Sequence, residues 1–198
     1  RAGVAIADSP TGPFKFLGAY KLNYSESANH SWDNANLGSV RDMNVFEDTD
    51  GSAYVIYSSD GNTNMYIAKL NSSYTNVAKD QKEAVLGEDF TLNFEGASRE
   101  APAMFRYKDK YYLITSACTG WSANAARYAV ADDPMGPWTM VANPCTDDGA
   151  STTYQTQSTC VFPVDAAAGK FIYMGDRWNS SNLGDSRYVW LPVKFESG

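Results

Sequence analysis

Hydrophobic and polar positions alternate along this chain in short runs. Runs rich in Val, Ile, Tyr, Phe and Thr are separated by clusters of Gly, Asn, Asp and Pro. Alternation with a period of two is typical of half-buried strands, and the intervening residue types favour turns. Convincing amphipathic helices are absent from the pattern. The sequence therefore predicts an all-β protein.

A strand–turn–strand pattern recurs three times. Each copy has an apolar strand that ends in Phe, a polar turn, and a second strand rich in Tyr or Phe. The copies are "MNVFEDTDGSAYVIYSS" (43–59), "PAMFRYKDKYYLITSA" (102–117) and "TCVFPVDAAAGKFIYMGD" (159–176). The anchoring residues Phe46, Phe105 and Phe162 are 59 and 57 residues apart. A period of this length indicates a repeat architecture.

A second pattern lies between these copies. "ADSPTGPF" (7–14) recurs as "ADDPMGPW" (131–138), and each follows an alternating strand. Together the two patterns predict four-stranded antiparallel units, which form a β-propeller when repeated radially. A sandwich with similar hairpins is the alternative, and we favour the propeller because the repeats occur in pairs.

The number of repeats bears on the extent of the domain. We identify the closing half of one blade up to about residue 22, and three fuller blades beginning near Ser39, Ser98 and Ser151. Closed propellers have at least about four blades. We therefore expect residues 1–198 to be one propeller domain that is incomplete and lacks its N-terminal blade and a half.

Composition and charge narrow the class of ligand. The chain has 198 residues, 43% of them hydrophobic, and a formal net charge of −7. Nucleic acids and anionic membrane surfaces require a basic face. No apolar run approaches the roughly 20 residues of a membrane span. We expect a neutral ligand, no membrane or nucleic-acid partner, and no cofactor; a single histidine, His30, cannot define a metal site.

Charged and amide side chains precede each repeated Phe. The segments "SVRDMNVF", "SREAPAMF" and "QTQSTCVF" contain Arg41–Asp42, Arg99–Glu100 and Gln155 with Gln157. In a propeller the innermost strands begin at the central channel, so these residues would form one ring. Two carboxyls across a polar cleft suit glycoside hydrolysis, in which one donates a proton and the other stays ionised. Structural Arg–acid ion pairs are the alternative, and two pairs at equivalent positions favour a site.

Two loops supply aromatic side chains for sugar binding. "CTGW" contributes Thr119, Gly120 and Trp121, and "GDRWN" contributes Asp176 and Trp178. We expect the indoles to stack on a pyranose ring and the polar groups to bind its hydroxyls. Trp32, beside His30 in a long polar loop, is a further candidate for the rim.

The cysteines and the glycosylation sequons indicate whether the protein is secreted. Cys118 and Cys145 lie in turn-like segments and are candidates for a disulfide, whereas Cys160 lies in an apolar strand and is expected to be a buried thiol. Sequons at Asn23, Asn29, Asn71 and Asn179 favour secretion weakly. We expect an extracellular protein.

Together "SVRDMNVFEDTDGSAYVIYSS", "SREAPAMFRYKDKYYLITSACTGW", "DDPMGPW" and "QTQSTCVFP" resemble glycoside hydrolase family 43, and most closely its branch of exo-β-1,3-galactanases. The resemblance implies a five-bladed propeller and an inverting hydrolase of neutral plant polysaccharide, β-1,3-galactan or arabinogalactan. It also implies that Glu100 is the general acid and that Asp42 tunes its pKa and orients it. An appended carbohydrate-binding module outside this chain stays open.

The base of this predicted enzyme is less usual. Many members of the family carry an Asp in the first blade, which we expect to be absent here, and in the galactanase-like branch the resemblance implies a Gln. Gln157 precedes Phe162 by five residues, as Glu100 precedes Phe105, so we favour Gln157 over Gln155. A neutral amide is a poor base unless it acts as its imidic tautomer or only positions the water.

Three alternatives remain at this stage. The first is an arabinofuranosidase or xylosidase on the same fold. The second is a carbohydrate-binding propeller without catalysis, which would not need both Glu100 and Asp42. The third is an incomplete chain that is inert alone.

Overall fold

A computed structural model describes residues 1–28 and 37–195. In these ranges the chain forms thirteen β-strands in four antiparallel sheets, and none of the sheets is closed. Short 3-10 helices occupy Asp60–Asn62, Ala150–Gln155 and Leu183–Asp185. The chain divides into two compact units, residues 1–97 and 98–198. The all-β class predicted from the alternating pattern is confirmed.

The first unit contains two sheets. One is the hairpin of β1 (Ala2–Ile6) and β2 (Lys15–Tyr20). The other has its strands in chain order: β3 (Met43–Glu47), β4 (Ala53–Ser59), β5 (Asn64–Lys69) and β6 (Phe90–Asn93). Strand β4 is buried along its whole length. Its side chains Val55 and Tyr57 pack with Tyr66, Phe90 and Leu22 in the core of this unit.

The second unit also contains two sheets. The first has the strands β7 (Arg99–Tyr107), β8 (Lys110–Ala117), β9 (Arg127–Ala131) and β10 (Thr139–Ala142), again in chain order. The second has β11 (Gln157–Asp165), β12 (Lys170–Arg177) and β13 (Arg187–Val193). Strands β7 and β11 are the first strands of their sheets, and they contact each other.

Both repeated patterns correspond to structure. The three copies of the longer pattern are the hairpins β3–β4, β7–β8 and β11–β12. The two Pro- and Gly-rich segments connect β1 to β2 and β9 to β10, and each contains a cis bond before its second proline, Gly12–Pro13 and Gly136–Pro137. The four-stranded unit is present twice, and the last sheet has three strands in the described residues.

An aromatic cluster forms the core of the second unit. The ring of Phe105 lies 5.1 Å from that of Tyr112 in its own sheet and 5.3 Å from that of Phe171 in the other sheet. Tyr107 in β7 adds a further contact, at 4.1 Å, with Phe195 in the segment that follows β13. Aromatic pairs at these separations contribute dispersion and quadrupole attraction beyond their buried area. The cluster therefore holds β7 beside β11.

The structure contradicts the predicted disulfide between Cys118 and Cys145. None of the three cysteines takes part in a disulfide. Cys118 follows β8 and Cys145 follows β10, and β9 lies between these strands. Strands two positions apart are about 9 to 10 Å from each other, whereas a disulfide needs Cα atoms within about 7 Å. Cys160 is a thiol in β11 as predicted, although it is only half-buried.

Some predictions fall outside the described ranges. Trp32, His30 and the sequon at Asn29 lie in residues 29–36, which the structure does not describe. Among the described helices, none has the length and apolar character needed to cross a membrane.

Candidate active site

Glu100 lies at a backbone irregularity at the start of β7. Ser98 and Ala101 on either side of it have left-handed φ angles of 50° and 52°. The pairing of β7 with β8 shifts register between Glu100 and Ala103, which marks a bulge. Bulges redirect side chains and tolerate a proline, which has no N–H to donate to the ladder, and Pro102 occupies this one. Strain of this kind clusters at functional sites.

Two contacts fix the bulge. The hydroxyl of Ser158 in β11 donates to the carbonyl of Ala101. Arg99 is buried and turns to the other face of β7, where its Nε and Nη2 donate to Thr115 Oγ1 and O at 3.0 and 2.6 Å. Burial lowers the pKa of Arg99, with Arg127 as a second cause. Arg99 therefore anchors the strand, and Glu100 occupies the opposite face.

Gln157 contacts Glu100 directly. Its Nε2 donates to Glu100 Oε1 at 3.0 Å and to the hydroxyl Oγ of Ser116 at 3.0 Å. Ser116 lies opposite Glu100 in the β7–β8 ladder and is buried. The two hydrogens of the amide group are thus directed at one carboxylate oxygen and one hydroxyl.

The other end of the same amide meets an indole. Trp178 Nε1 donates to Gln157 Oε1 at 3.1 Å. Because an indole N–H is only a donor, it must face the amide oxygen rather than the amide nitrogen. The chain of hydrogen bonds from Trp178 through Gln157 to Glu100 is therefore directional.

Trp178 and Trp121 form an aromatic corner. Their rings lie edge to face with centroids 5.7 Å apart, and 42% and 58% of their surfaces are exposed. The loop of Trp121 is held by Asn124, whose Nδ2 donates to Ala117 O at 2.9 Å and to Thr119 Oγ1 at 2.7 Å. Exposed indole faces on a fastened loop are suited to stacking on a sugar ring.

The segment before Gln157 is unusual in its backbone. Thr153, Tyr154 and Gln155 have successive φ angles of 51°, 55° and 58°. Such angles are costly for residues with a Cβ and persist only where other contacts impose them. Arg177 Nη2 supplies one such contact by donating to the Tyr154 carbonyl at 2.7 Å.

A cavity of about 300 Å³ lies at this end of the two sheets. Its lining combines indole, amide, hydroxyl and carboxyl groups. The residues are Ser116, Gly120, Trp121, Ser122, Ala123, Asn124, Thr152, Gln155, Thr156, Gln157, Asp176, Arg177 and Trp178. Glu100 is joined to this lining through Gln157 and Ser116. A polar cavity with an aromatic wall suits a neutral, hydroxyl-rich ligand.

Asp176 is the carboxyl group in that lining. It pairs with Gln157 across the β11–β12 ladder, so the two side chains share one face of the sheet. Burial raises the pKa of Asp176 above its ordinary value. A carboxylate with a raised pKa is a stronger proton acceptor than an exposed one.

Arg41 and Asp42 lie in the first unit, just before β3. Both are exposed, and their main chain is fixed to β4: Arg41 N donates to Ser58 O at 3.0 Å, and Ser58 N donates to Asp42 O at 2.9 Å. The role of Asp42 stays a prediction.

A buried carboxylate holds the segment that leads to Asp42. Asp60 is 2% exposed and accepts from Asn64 Nδ2 at 2.9 Å, from the Tyr66 hydroxyl at 2.8 Å and from Gly38 N at 3.3 Å. These bonds tie the backbone at Gly38 to the turn between β4 and β5.

The structure brings together most of the predicted site residues of the second unit. One cavity is lined by Gln157, Trp178, Trp121 and Asp176, together with Gly120 and Gln155, and Glu100 contacts this lining through Gln157. Thr119 supports the Trp121 loop and is not part of the lining. Of the two glutamines, Gln157 is the one that contacts Glu100.

Sequence reasoning missed Ser116, Asn124 and Arg177. Ser116 could have been found, because pairing β7 with β8 about the short turn places it opposite Glu100. Asn124 and Arg177 donate to the main-chain carbonyls of Ala117 and Tyr154, and no sequence pattern predicts such contacts. In the described part of the chain, no group of three or more His, Cys, Asp or Glu side chains is placed to hold a metal ion.

Comparison with known proteins identifies the family. The family model for glycosyl hydrolases family 43 matches residues 1–164. A search of curated protein sequences found no significant match.

Solved structures match over nearly the whole chain. A GH43 β-1,3-galactosidase is 37% identical with a TM-score of 0.80, covering 96% of this chain and 36% of its own. A second GH43 β-1,3-galactosidase, solved with galactodeoxynojirimycin, is 33% identical with a TM-score of 0.81. The match covers 98% of this chain and 63% of the galactosidase chain. An exo-β-1,3-galactanase from Clostridium thermocellum is 34% identical with a TM-score of 0.80, covering 98% and 40%.

This chain therefore spans 36% to 63% of the length of these three structures. Since the family model covers well over half of its residues and these relatives exceed 30% identity, the chain belongs to glycosyl hydrolases family 43.

Proposed function

We propose that the protein containing this chain is an exo-acting, inverting β-1,3-galactanase that degrades the main chain of arabinogalactan. The observation that carries the proposal is the contact between Glu100 and Gln157 beside an aromatic corner at one cavity. The names of the relatives support the choice of galactan within family 43. The substrate is neutral, which agrees with the absence of basic residues other than Arg177 from the cavity lining.

In this mechanism Glu100 gives its proton to the glycosidic oxygen as the bond from that oxygen to the anomeric carbon breaks. Because Glu100 Oε1 accepts from Gln157 Nε2, the transferred proton is carried by Oε2 in this mechanism. Trp121 and Trp178 flank the galactose ring. Asp42 retains its predicted role of tuning and orienting the acid.

Water attacks the anomeric carbon from the opposite face and must lose a proton. The amide nitrogen of Gln157 is a donor in both of its contacts, so it offers no lone pair to that water. Its oxygen accepts one bond from Trp178 and has a second lone pair for a water hydrogen. This arrangement favours the water-holding role of Gln157 over the imidic tautomer.

Asp176 is the proton acceptor in our proposal. It shares a sheet face with Gln157, and directly opposed side chains have Cβ atoms about 5 Å apart. Gln157 thus contacts Glu100 and pairs with Asp176 across the ladder. Our proposal requires the two carboxyls to be about 6.5 to 9.5 Å apart, the separation that admits a water in inverting enzymes.

Our proposal also includes the fold of the whole domain and its compartment. The four sheets are blades of a five-bladed propeller, and the relatives are longer than this chain. An extracellular location suits a polymeric plant substrate.

Product analysis tests the proposal. The full-length protein should release galactose or short galacto-oligosaccharides from β-1,3-galactan, with the α anomer detected first by NMR. Activity on nitrophenyl arabinoside or xyloside without galactan cleavage would identify the other specificities of the family instead. Binding of galactan without any cleavage would identify a non-catalytic sugar-binding protein.

A further inference from the structure

The side-chain amide of Gln157 has two possible orientations, and its hydrogen-bond partners select one of them. An amide can rotate by half a turn and exchange its oxygen and nitrogen with little change of shape. With nitrogen toward Glu100, the amide donates to the carboxylate. With oxygen toward Glu100, the amide can only accept, so the carboxyl must use its own proton for that bond. The chemical competence of Glu100 therefore depends on which way Gln157 is turned.

Two neighbours of Gln157 differ in their power to decide this. The hydroxyl of Ser116 lies 3.0 Å from Nε2, and a hydroxyl either donates or accepts. The indole of Trp178 lies 3.1 Å from Oε1, and an indole N–H can only donate. A flipped amide would place its N–H groups against that N–H. An ionised Glu100 also requires the amide nitrogen, but a protonated Glu100 accepts either orientation. Among the described neighbours, Trp178 is the one that selects the same orientation in both protonation states of Glu100.

We propose that Trp178 is a positioning residue whose indole N–H locks the amide of Gln157, so that Gln157 donates to Glu100 Oε1 and the proton of the general acid resides on the other oxygen. This role is separate from stacking on sugar, which uses the ring face and not the N–H. The inference rests on the proposed hydrolase function, since a locked proton matters only if Glu100 donates it.

The consequence for catalysis is a single productive protonation state. When the amide is free to turn, part of the population buries the Glu100 proton in a bond to Gln157. That fraction has no proton for the leaving oxygen. In addition, the ionised carboxylate loses a donor, so it becomes less favourable relative to the acid.

Trp178→Phe separates the two roles of the side chain, because it keeps an aromatic face and removes the N–H. We expect kcat to fall about tenfold or more, as part of the 10²- to 10⁴-fold contribution of a general acid. KM for β-1,3-galactobiose should stay within about twofold. The alkaline limb of the kcat profile should move to higher pH.

Trp121→Phe is the matched control. It changes the partner ring of the same corner, and Trp121 has no hydrogen bond to Gln157 among the described contacts. Its alkaline limb should stay where it is in the unaltered protein. A limb that moves equally in both variants, or in neither, would overturn the positioning role.

A double-mutant cycle shows whether Trp178 acts through Gln157. In a Gln157→Ala background there is no amide to lock, so Trp178→Phe should cost almost nothing more in kcat. If the two losses multiply, Trp178 acts independently and the inference is wrong.

An NMR readout does not depend on activity. The indole N–H signal that disappears in Trp178→Phe is the one from Trp178. That signal and the side-chain NH₂ signals of Gln157 should shift with pH together, and the shift should vanish in Glu100→Gln. If the two sets of signals shift together with pH but the protein cleaves no galactan, the proposed function is wrong and the positioning role of Trp178 stands. If the enzyme is active but the signals shift independently, the positioning role alone is wrong.

Discussion

Gln157 Nε2 and Glu100 Oε1 lie 3.0 Å apart, although 57 residues separate them along the chain. Each residue stands five positions before a repeated phenylalanine, Phe162 and Phe105. The repeat therefore places an acid and an amide at corresponding points of neighbouring strands, where one can direct the other.

Replacing Glu100 by Gln should abolish most hydrolysis. The amide of the variant still accepts from Gln157, so the fold should be kept, but it has no proton to donate. We expect kcat on galactan to fall about 10²- to 10⁴-fold. A nitrophenyl galactoside, whose leaving group needs little protonation, should lose much less. Glu47→Gln, at an exposed strand end in the other unit, is the control; equal losses on both substrates would contradict the acid role.

Replacing Trp121 by Ala should weaken substrate binding more than it slows the reaction. The exposed indole stacks on sugar in both the ground state and the transition state, so its loss raises KM and leaves kcat nearly unchanged. An aromatic contact of 0.5 to 1.5 kcal/mol corresponds to an increase of about two- to tenfold. Initial-rate kinetics with galacto-oligosaccharides measure it, and an unchanged KM would place the sugar elsewhere.

Replacing Ala101 by Val should disturb both stability and catalysis. Ala101 has a φ of 52°, and a β-branched side chain is strained in that region. We expect a loss of about 1 to 3 kcal/mol in the free energy of unfolding, measured in urea. Activity should fall as well, since the bulge aims Glu100. Ala101→Gly is the matched control and should be at least as stable as the unaltered protein; a stable valine variant would show that the bulge carries no strain.

Replacing Asp176 by Asn should stabilise the protein at neutral pH and impair it as an enzyme. Burial raises the pKa of Asp176, so the folded state holds its proton to higher pH than the unfolded chain does. Stability is therefore lost as the pH rises from the ordinary value of 3.8 through the raised one. The melting temperature of Asp176→Asn should exceed that of the unaltered protein at pH 7 and approach it near pH 3.

The control for this comparison is Asp109→Asn, in the exposed β7–β8 turn. It should show no such gain at pH 7. If Asp176 takes the proton of the attacking water, Asp176→Asn should also lose the acidic limb of its kcat profile. Full activity in this variant would remove Asp176 from the mechanism.

The sequence was sufficient for the strands and for the pairing of Glu100 with a glutamine. Phe anchors and polar turns define hairpins locally, so the β7–β8 and β11–β12 hairpins follow from the pattern alone. The choice of Gln157 over Gln155 follows from counting back from Phe162. Both inferences need only the two-residue period of a strand and the period of the repeat.

Other features depend on strand order, on contacts between strands and on the backbone conformation of loops, and the sequence pattern does not predict these. The Cys118–Cys145 bridge was wrong because β9 lies between the strands that these cysteines follow. The indole of Trp178 was expected only to stack, because its N–H partner is on a different strand. The left-handed backbone conformation of residues 153–155 could not be predicted, because none of the three residues is a glycine.

The aromatic cluster around Phe105 and Phe171 has a consequence for how the protein would fail under stress. No backbone ladder joins β7 to β11 in the described strands, so these rings and a few side chains keep Glu100 within reach of Gln157. Slight loosening of the cluster would separate the pair while every strand kept its partners. Inactivation would then precede any change in far-ultraviolet circular dichroism, and a near-ultraviolet aromatic signal would be its first optical sign.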